Sequence, residues 1–258
     1  MVHASVIGCG NMGSALVKGL SSGGDHTVVA CDVDERALES VSEYCATTTT
    51  DLATASESEV VFLAVKPDVA AELVGDLDLS PEQTLVSIAA GVPTGLLESR
   101  TDATVVRVMP NLAAASGNMA AAVTGAALDD DVRALLDDAG LYVEVDEAQM
   151  DVATAVNGSG PAFVFYMMQA MTEAGVNGGL DPRNAELLAA QTFKGAAETV
   201  LRSDDSLEEL IDAVCSPKGT TIEGMNVLWD SGIDETIADA VAAAEARSAE
   251  LALDIDDE

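Results

Sequence analysis

The sequence predicts an α/β chain, with a doubly wound parallel-sheet domain over residues 1–147 and an all-helical domain over residues 148–258. Three observations carry this expectation. Up to residue 147, short apolar runs alternate with helical patterning. The first of those runs feeds directly into Gly8-x-Gly10-x-x-Gly13 and then a helix. From Glu147 onward no convincing strand run occurs again.

Val6–Ile7 belongs to the first strand, and Ser14–Leu20 has helical patterning. Between them, Gly8 permits a tight turn, Gly10 lets backbone approach a pyrophosphate, and Gly13 allows close helix–strand packing. Asn11 and Met12 lie in the same loop and go with it to the cofactor. The helix start offers free N–H groups and a partial positive charge. An ordinary Gly-rich turn is the plainer alternative. The order strand, loop, helix and then Asp32 favours a Rossmann-type dinucleotide site.

Thr27–Asp32 is a β-rich run ending in an acid, followed by a helix from about Asp34 to Tyr44. A carboxylate there binds the ribose hydroxyls of NAD and repels a 2′-phosphate. Arg36 can pair with such a phosphate or with Asp32, so both NADH and NADPH stay open. Thr47–Thr50 reads as a polar connection. Val60–Val65 is a continuous apolar run, as in a strand buried on both faces. Ala64-Val65-Lys66-Pro67 closes it, with Pro67 suited to a helix start. Thr84–Ile88 and Thr104–Met109 repeat the strand signature, and Ala120–Val123 and Leu141–Val145 flank a helix at Asp130–Ala139.

The second half reads as helices at Ala148–Val156, Pro161–Ala174, Pro182–Arg202, Leu207–Val214, Ile222–Trp229 and Ile233–Ala252. Asn157–Phe163 reads as a loop entering a helix, with Ser159 as its N-cap and Pro161 near its first position. A helical half this rich in Ala and Met is expected to pack against a second copy of the chain rather than stand alone.

Composition narrows the function. Hydrophobic residues make up 48% of the 258, which suits a packed core. No apolar stretch is long enough to span a membrane and no basic leader precedes the first strand, so the expected location is the cytoplasm. Forty-five Asp and Glu against eleven Lys and Arg give a formal charge of −34, spread along every segment with a short acidic end at Asp254–Glu258. A nucleic-acid groove is excluded. With this apolar content the charge suggests a surface adapted to a salt-saturated cytosol, where the Debye length falls to about 3 Å at 1 M. Cys9, Cys31, Cys45 and Cys215 have no metal spacing and suit reduced thiols. With only His3 and His26, neither a His triad nor a His-ligated metal site is expected.

The remaining chemistry sits in three stretches. Lys66, one of four lysines, and Asn111 both follow apolar strands, at the sheet edge where such folds bind ligands. Lys66 suits cofactor phosphates or substrate, and Asn111 can orient a nicotinamide. Ser216-Pro217-Lys218-Gly219-Thr220-Thr221 precedes a helix, with Gly219 and Thr220 supplying backbone donors for a carboxylate and Thr221 a hydroxyl. Helix capping is the plainer role for either threonine.

These residues resemble a known pattern. Ile7–Gly13, Ala64–Pro67, Arg107–Asn111, Gly158–Phe163, Gln191–Ala196 and Ser216–Thr221, in this order, are similar to the motifs of pyrroline-5-carboxylate reductases over roughly residues 3–252. The resemblance implies NADH- or NADPH-dependent reduction of a cyclic imine to proline. It places the substrate carboxylate on Ser216, Lys218, Gly219 and Thr220 and the ring nitrogen on Thr221. It also implies a homodimer through interleaved helical domains, with larger assemblies of dimers. Lys218 departs from the first glycine of the usual SPGGTT, so its loop is expected to take a backbone form that a side chain bears. Ala113–Ala114 replaces the usual Thr-Pro, and Asn118–Met119 interrupts a small-residue run.

A protonated imine is already electrophilic, so alignment rather than a metal or a covalent nucleophile is what the protein supplies. Two alternatives compete. A β-hydroxyacid or 6-phosphogluconate-type dehydrogenase needs a lysine after Gly158–Phe163, and Val164–Ala174 has none. A nucleotide-sensing protein without turnover needs no Ser216–Thr221 cradle.

Overall fold

The computed structural model describes residues 1–23 and 26–256, with side chains through residue 251. Asp257 and Glu258 of the acidic end lie outside the described residues.

Eight strands form one sheet: β1 (His3–Ile7), β2 (Thr27–Cys31), β3 (Thr47–Thr49), β4 (Val60–Leu63), β5 (Thr84–Ser87), β6 (Thr104–Met109), β7 (Met119–Gly125) and β8 (Gly140–Glu144). Their order is β3-β2-β1-β4-β5-β6-β7-β8. The helices α1 (Asn11–Leu20), α2 (Glu35–Val41), α3 (Leu52–Ala55), α4 (Pro67–Asp76), α5 (Thr94–Glu98) and α6 (Asp130–Ala139) connect them. All four residues of β4 are buried because each face of the sheet is covered. Val6, Phe62 and Val108 pack with Leu16 and Leu136 on one face, and Val61, Leu85 and Val105 with Val74 and Leu97 on the other.

Three expectations need correcting here. Thr47–Thr49 is not a connection but the edge strand, pairing in parallel with β2. An edge strand needs no apolar run, and its β-branched threonines suit extended backbone. The sheet is not wholly parallel, because β7 runs antiparallel to β6 and β8 follows β7 in parallel. Residues 110–118 are too few for a parallel crossover, which takes about a dozen or more. Finally, no loop precedes Pro161: Thr154–Ser159 is a π-helical turn that runs straight into α8 (Gly160–Asn177), so Ser159 caps nothing.

That turn has a local cause. In a regular helix the N–H of residue 161 would serve the carbonyl of Asn157, and proline has no N–H. The Asn157 carbonyl accepts instead from Asn111 Nδ2 at 3.1 Å. Widened turns of this kind absorb such a break. The short α7 (Met150–Ala153) leads into it, and buried Met150 packs with Met109 and Ala122 of the sheet.

By packing, the chain divides into two compact units. The sheet unit runs through Ser159 and takes back the chain from Ala242. Ser248 Oγ, on α12 (Ile233–Asp256), donates to Asp151 Oδ1 at 2.7 Å within that unit. The second unit, Gly160–Val241, holds α8, α9 (Pro182–Arg202), α10 (Leu207–Val214), α11 (Thr220–Trp229) and the start of α12. Only Ala185 and Ala189 are buried among its described residues, while Phe165, Tyr166 and Trp229 are 66%, 74% and 56% exposed. A helical unit with so little core of its own presents an unusually apolar surface.

Candidate active site

The Gly loop is built by exclusion. Gly8 has φ +95°, and a Cβ there would lie 2.6 Å from the Ala64 carbonyl oxygen. A Cβ on Gly13 would lie 1.8 Å from the Gly8 carbonyl oxygen. Both positions need glycine for packing alone. Gly10 is different: a Cβ there would meet nothing within 4 Å. It is the N-cap of α1 and supplies no side-chain cap, so the first amides of Asn11, Met12 and Gly13 have no intrahelical partner. An open, uncapped helix start with bare backbone fits a pyrophosphate.

Asp32 joins the end of β2 to this loop. Its Oδ2 accepts from the Cys9 N–H at 2.6 Å, and its Oδ1 from the Asp34 N–H at 2.8 Å. Each oxygen keeps a further lone pair for a ribose hydroxyl. Asp32, Gly8 and Val65 come together around a cavity of about 130 Å³ whose lining also includes Val33, Thr50 and Leu73. Thr50 and Leu73 had no signal in the sequence, since neither belongs to a strand-end motif. Ala64 holds β1 through its N–H to the Ile7 carbonyl, Lys66 is the N-cap of α4 and Pro67 its first residue. Arg36 is exposed and forms no ion pair with Asp32 among the described residues. The Cys9 thiol is pushed up to about 12, by burial first and the Asp32 charge second, so it stays protonated and takes no part as a nucleophile.

Asn111 is buried and largely spent. Its Oδ1 accepts from the N–H groups of Ala113 at 3.2 Å and Ala120 at 3.3 Å, and its Nδ2 donates to Asn157. One Nδ2 hydrogen is left for any nicotinamide.

In the helical unit, the Gly219 N–H closes a turn onto the Ser216 carbonyl at 2.9 Å, with Pro217 second and Lys218 third. Lys218 has φ +62°, the left-handed region, and is the one non-glycine residue there among those described. The loop therefore keeps the glycine form, contrary to the expectation that it would adapt to a side chain. Its order, proline and then a positive φ, is that of a type II turn. Because its N–H is used in the turn, Gly219 is not a free donor as expected. It is instead the N-cap of α11, with no side-chain cap, and the unspent amides belong to Thr220, Thr221 and Ile222. Neither threonine hydroxyl caps the helix. Thr221 is half-buried and borders, with Ile211, Val214 and Met225, an apolar groove of about 420 Å³.

The comparisons with known proteins agree with this architecture. Over 259 aligned residues the chain is 38% identical to the pyrroline-5-carboxylate reductase of Methanosarcina acetivorans, covering 95% of this chain and 96% of that protein. The chain belongs to the pyrroline-5-carboxylate reductase family. Among solved structures, the family member from Coxiella burnetii superposes with a TM-score of 0.87 at 32% identity, over 97% of this chain and 98% of that one. The Plasmodium falciparum pyrroline carboxylate reductase with NADP bound gives 0.84 at 27% identity, over 97% and 98%. A family model described as pyrroline-5-carboxylate reductase dimerisation matches residues 147–251, and one described as NADP oxidoreductase, coenzyme F420-dependent, matches residues 4–91. As a pyrroline-5-carboxylate reductase family member, the chain is an NAD(P)H-dependent oxidoreductase whose helical half is a dimerisation domain.

Proposed function

We propose that this chain reduces 1-pyrroline-5-carboxylate to proline, with the substrate held at the start of α11 and the dinucleotide on the Gly8–Gly13 loop. The observation that carries this reading is the α11 start itself, where the first three backbone amides and the Thr221 hydroxyl are all unspent. The amides of Thr220 and Thr221 receive the substrate carboxylate, with Ser216 and the Lys218 ammonium beside them. Thr221 Oγ1 bonds the ring nitrogen. When bound, the dinucleotide supplies the hydride. Gly8, Gly10, Asn11, Met12 and Gly13 seat its pyrophosphate, Asp32 its ribose, and Ala64, Val65, Lys66, Pro67 and Asn111 border the remainder. Nothing in this set is a strong acid or a metal cluster, which suits an iminium that needs alignment more than activation.

The same reading makes the protein a cytoplasmic homodimer paired through its helical units, able to build larger rings of dimers, with a surface suited to high salt. The exposed Phe165, Tyr166 and Trp229 support the pairing. The lysine-free α8 supports imine reduction over a hydroxyacid dehydrogenase reaction.

The test is direct. The purified protein is expected to oxidise NADH when the cyclic imine is added and to leave it unchanged with 3-oxo acids, the oxidised products of β-hydroxyacids. NADH should serve at least as well as NADPH, because a carboxylate repels a 2′-phosphate. Oxidation driven by a 3-oxo acid and not by the imine would overturn the substrate. A preference for NADPH of about tenfold would overturn the role given to Asp32.

A further inference from the structure

Two asparagine side chains stand in for backbone pairing at the carboxyl end of β6. The antiparallel ladder of β6 with β7 ends at Met109 opposite Ala122. Continued in register, Pro110 would face Ala121 and Asn111 would face Ala120. Pro110 falls at a non-hydrogen-bonded position of this ladder, and the next hydrogen-bonded pair, Asn111 with Ala120, is where backbone pairing gives way to side chains. Asn111 Oδ1 then takes the Ala120 N–H at 3.3 Å. Asn157, reaching in from the π-helical turn, donates Nδ2 to the Met109 carbonyl at 2.5 Å and to the Ala120 carbonyl at 3.0 Å. Its own carbonyl receives Asn111 Nδ2 at 3.1 Å. The side-chain orientation of Asn157 is fixed, because only nitrogen can face two carbonyl oxygens. Its Oδ1 is buried without a hydrogen-bond partner. A lone apolar residue would avoid that cost, so the position is held for its donor.

From this geometry we infer that Asn157 is a positioning residue for the nicotinamide half of the cofactor. The inference rests on the dinucleotide reading above. Gly8, Asp32 and Val65 gather at the ends of β1, β2 and β4, where the ribose carboxylate marks the adenosine half. A dinucleotide lying across the carboxyl edge of this sheet runs on toward β5 and β6. The segment Met109–Asn111 forms the end of that path. Asn157 holds it from outside the strand and does not line the adenosine cavity. Its amide thereby sets where the Met109 carbonyl and the start of the following 3-10 turn stand.

The test compares two ligands on one protein. ADP-ribose carries the adenosine half and both phosphates without the nicotinamide, while NADH carries all three. In Asn157→Asp, oxygen faces the two carbonyls and the segment loses its hold. The Kd for ADP-ribose should stay within about twofold of wild type, whereas the affinity advantage of NADH over ADP-ribose shrinks. In turnover, kcat should fall by about tenfold or more, as misplacement of a reacting group does, with KM for the imine changing far less. Asn157→Ser removes the amide without adding charge and should shift the ligand ratio in the same direction. It decides the matter if the aspartate variant does not fold, as judged by circular dichroism and melting. A folded variant that keeps the wild-type ratio of NADH to ADP-ribose affinity would overturn the inference. So would equal weakening of both ligands, which marks a merely structural residue. Failure of the dinucleotide reading looks different, since the wild-type protein would then bind neither ligand.

Discussion

Thr221 is the second residue of a helix whose cap is a glycine, and its hydroxyl is free to work. As the hydride arrives the iminium becomes an amine, so a hydrogen bond to nitrogen counts most in the transition state. Thr221→Val keeps the shape and removes the donor. We expect kcat to fall on the order of 10–1000-fold, as for loss of one preorganised donor, with the Kd for NADH unchanged. An unaltered kcat would leave Thr221 a packing residue. Lys218 poses a different problem at the same loop. A side chain at φ +62° costs roughly 1–2 kcal/mol relative to glycine. Lys218→Gly should therefore raise the melting temperature by a few degrees while raising KM for the imine, whose carboxylate loses the ammonium beside it. A variant that melts earlier than wild type would show that the lysine makes a stabilising contact. One that melts later with KM unchanged would remove Lys218 from the substrate site.

At the scale of elements, legibility in the sequence followed burial. β4, β5 and β6 are covered on both faces, so their apolar runs announced them. β3 lies at the edge and is all threonine, so its composition resembled a loop. The direction of β7 depended on the length of the chain before it, not on its residues. The Gly8–Gly13 loop was legible because glycine is the signal itself. The roles of Asn111 and Asn157 were not, because they depend on a ladder that ends at Met109 and on a π-helical turn. Nor was the backbone of Lys218, since a lysine in the left-handed region carries no sequence mark. One helix cap gives an independent check on this architecture. Asp129 caps α6 through the Val132 N–H at 2.7 Å and also receives the hydroxyl of buried Thr84 at 3.0 Å. Asp129→Ala removes the cap and strands that hydroxyl, at a cost of about 1–2 kcal/mol. Thermal denaturation should show a midpoint lower by several degrees, and an unchanged midpoint would remove this cap from the account.

At the scale of the whole molecule, charge and apolar surface act in opposite directions. A net charge of −34 repels a second copy, while the exposed apolar side chains of the helical unit favour one. Salt decides between them, because screening weakens the repulsion and leaves burial of apolar surface intact. The buried guanidinium of Arg107, 2.6 Å from Glu147 Oε1, is little affected by screening and should persist at any salt concentration. Activity, melting temperature and the dimer fraction in sedimentation should therefore rise together from dilute buffer into molar KCl. A protein most stable and fully dimeric in dilute buffer would contradict a salt-adapted surface.

Reduction of the imine by this chain requires a hydride to pass from the nicotinamide to the imine carbon. The most direct measurement uses NADH deuterated at the transferring position of the ring, with the cyclic imine as acceptor, in molar KCl. The expected product is proline carrying a single deuterium at C5, formed in step with NADH oxidation. Proline without that label, or NADH consumed with no proline formed, would contradict hydride transfer to the imine.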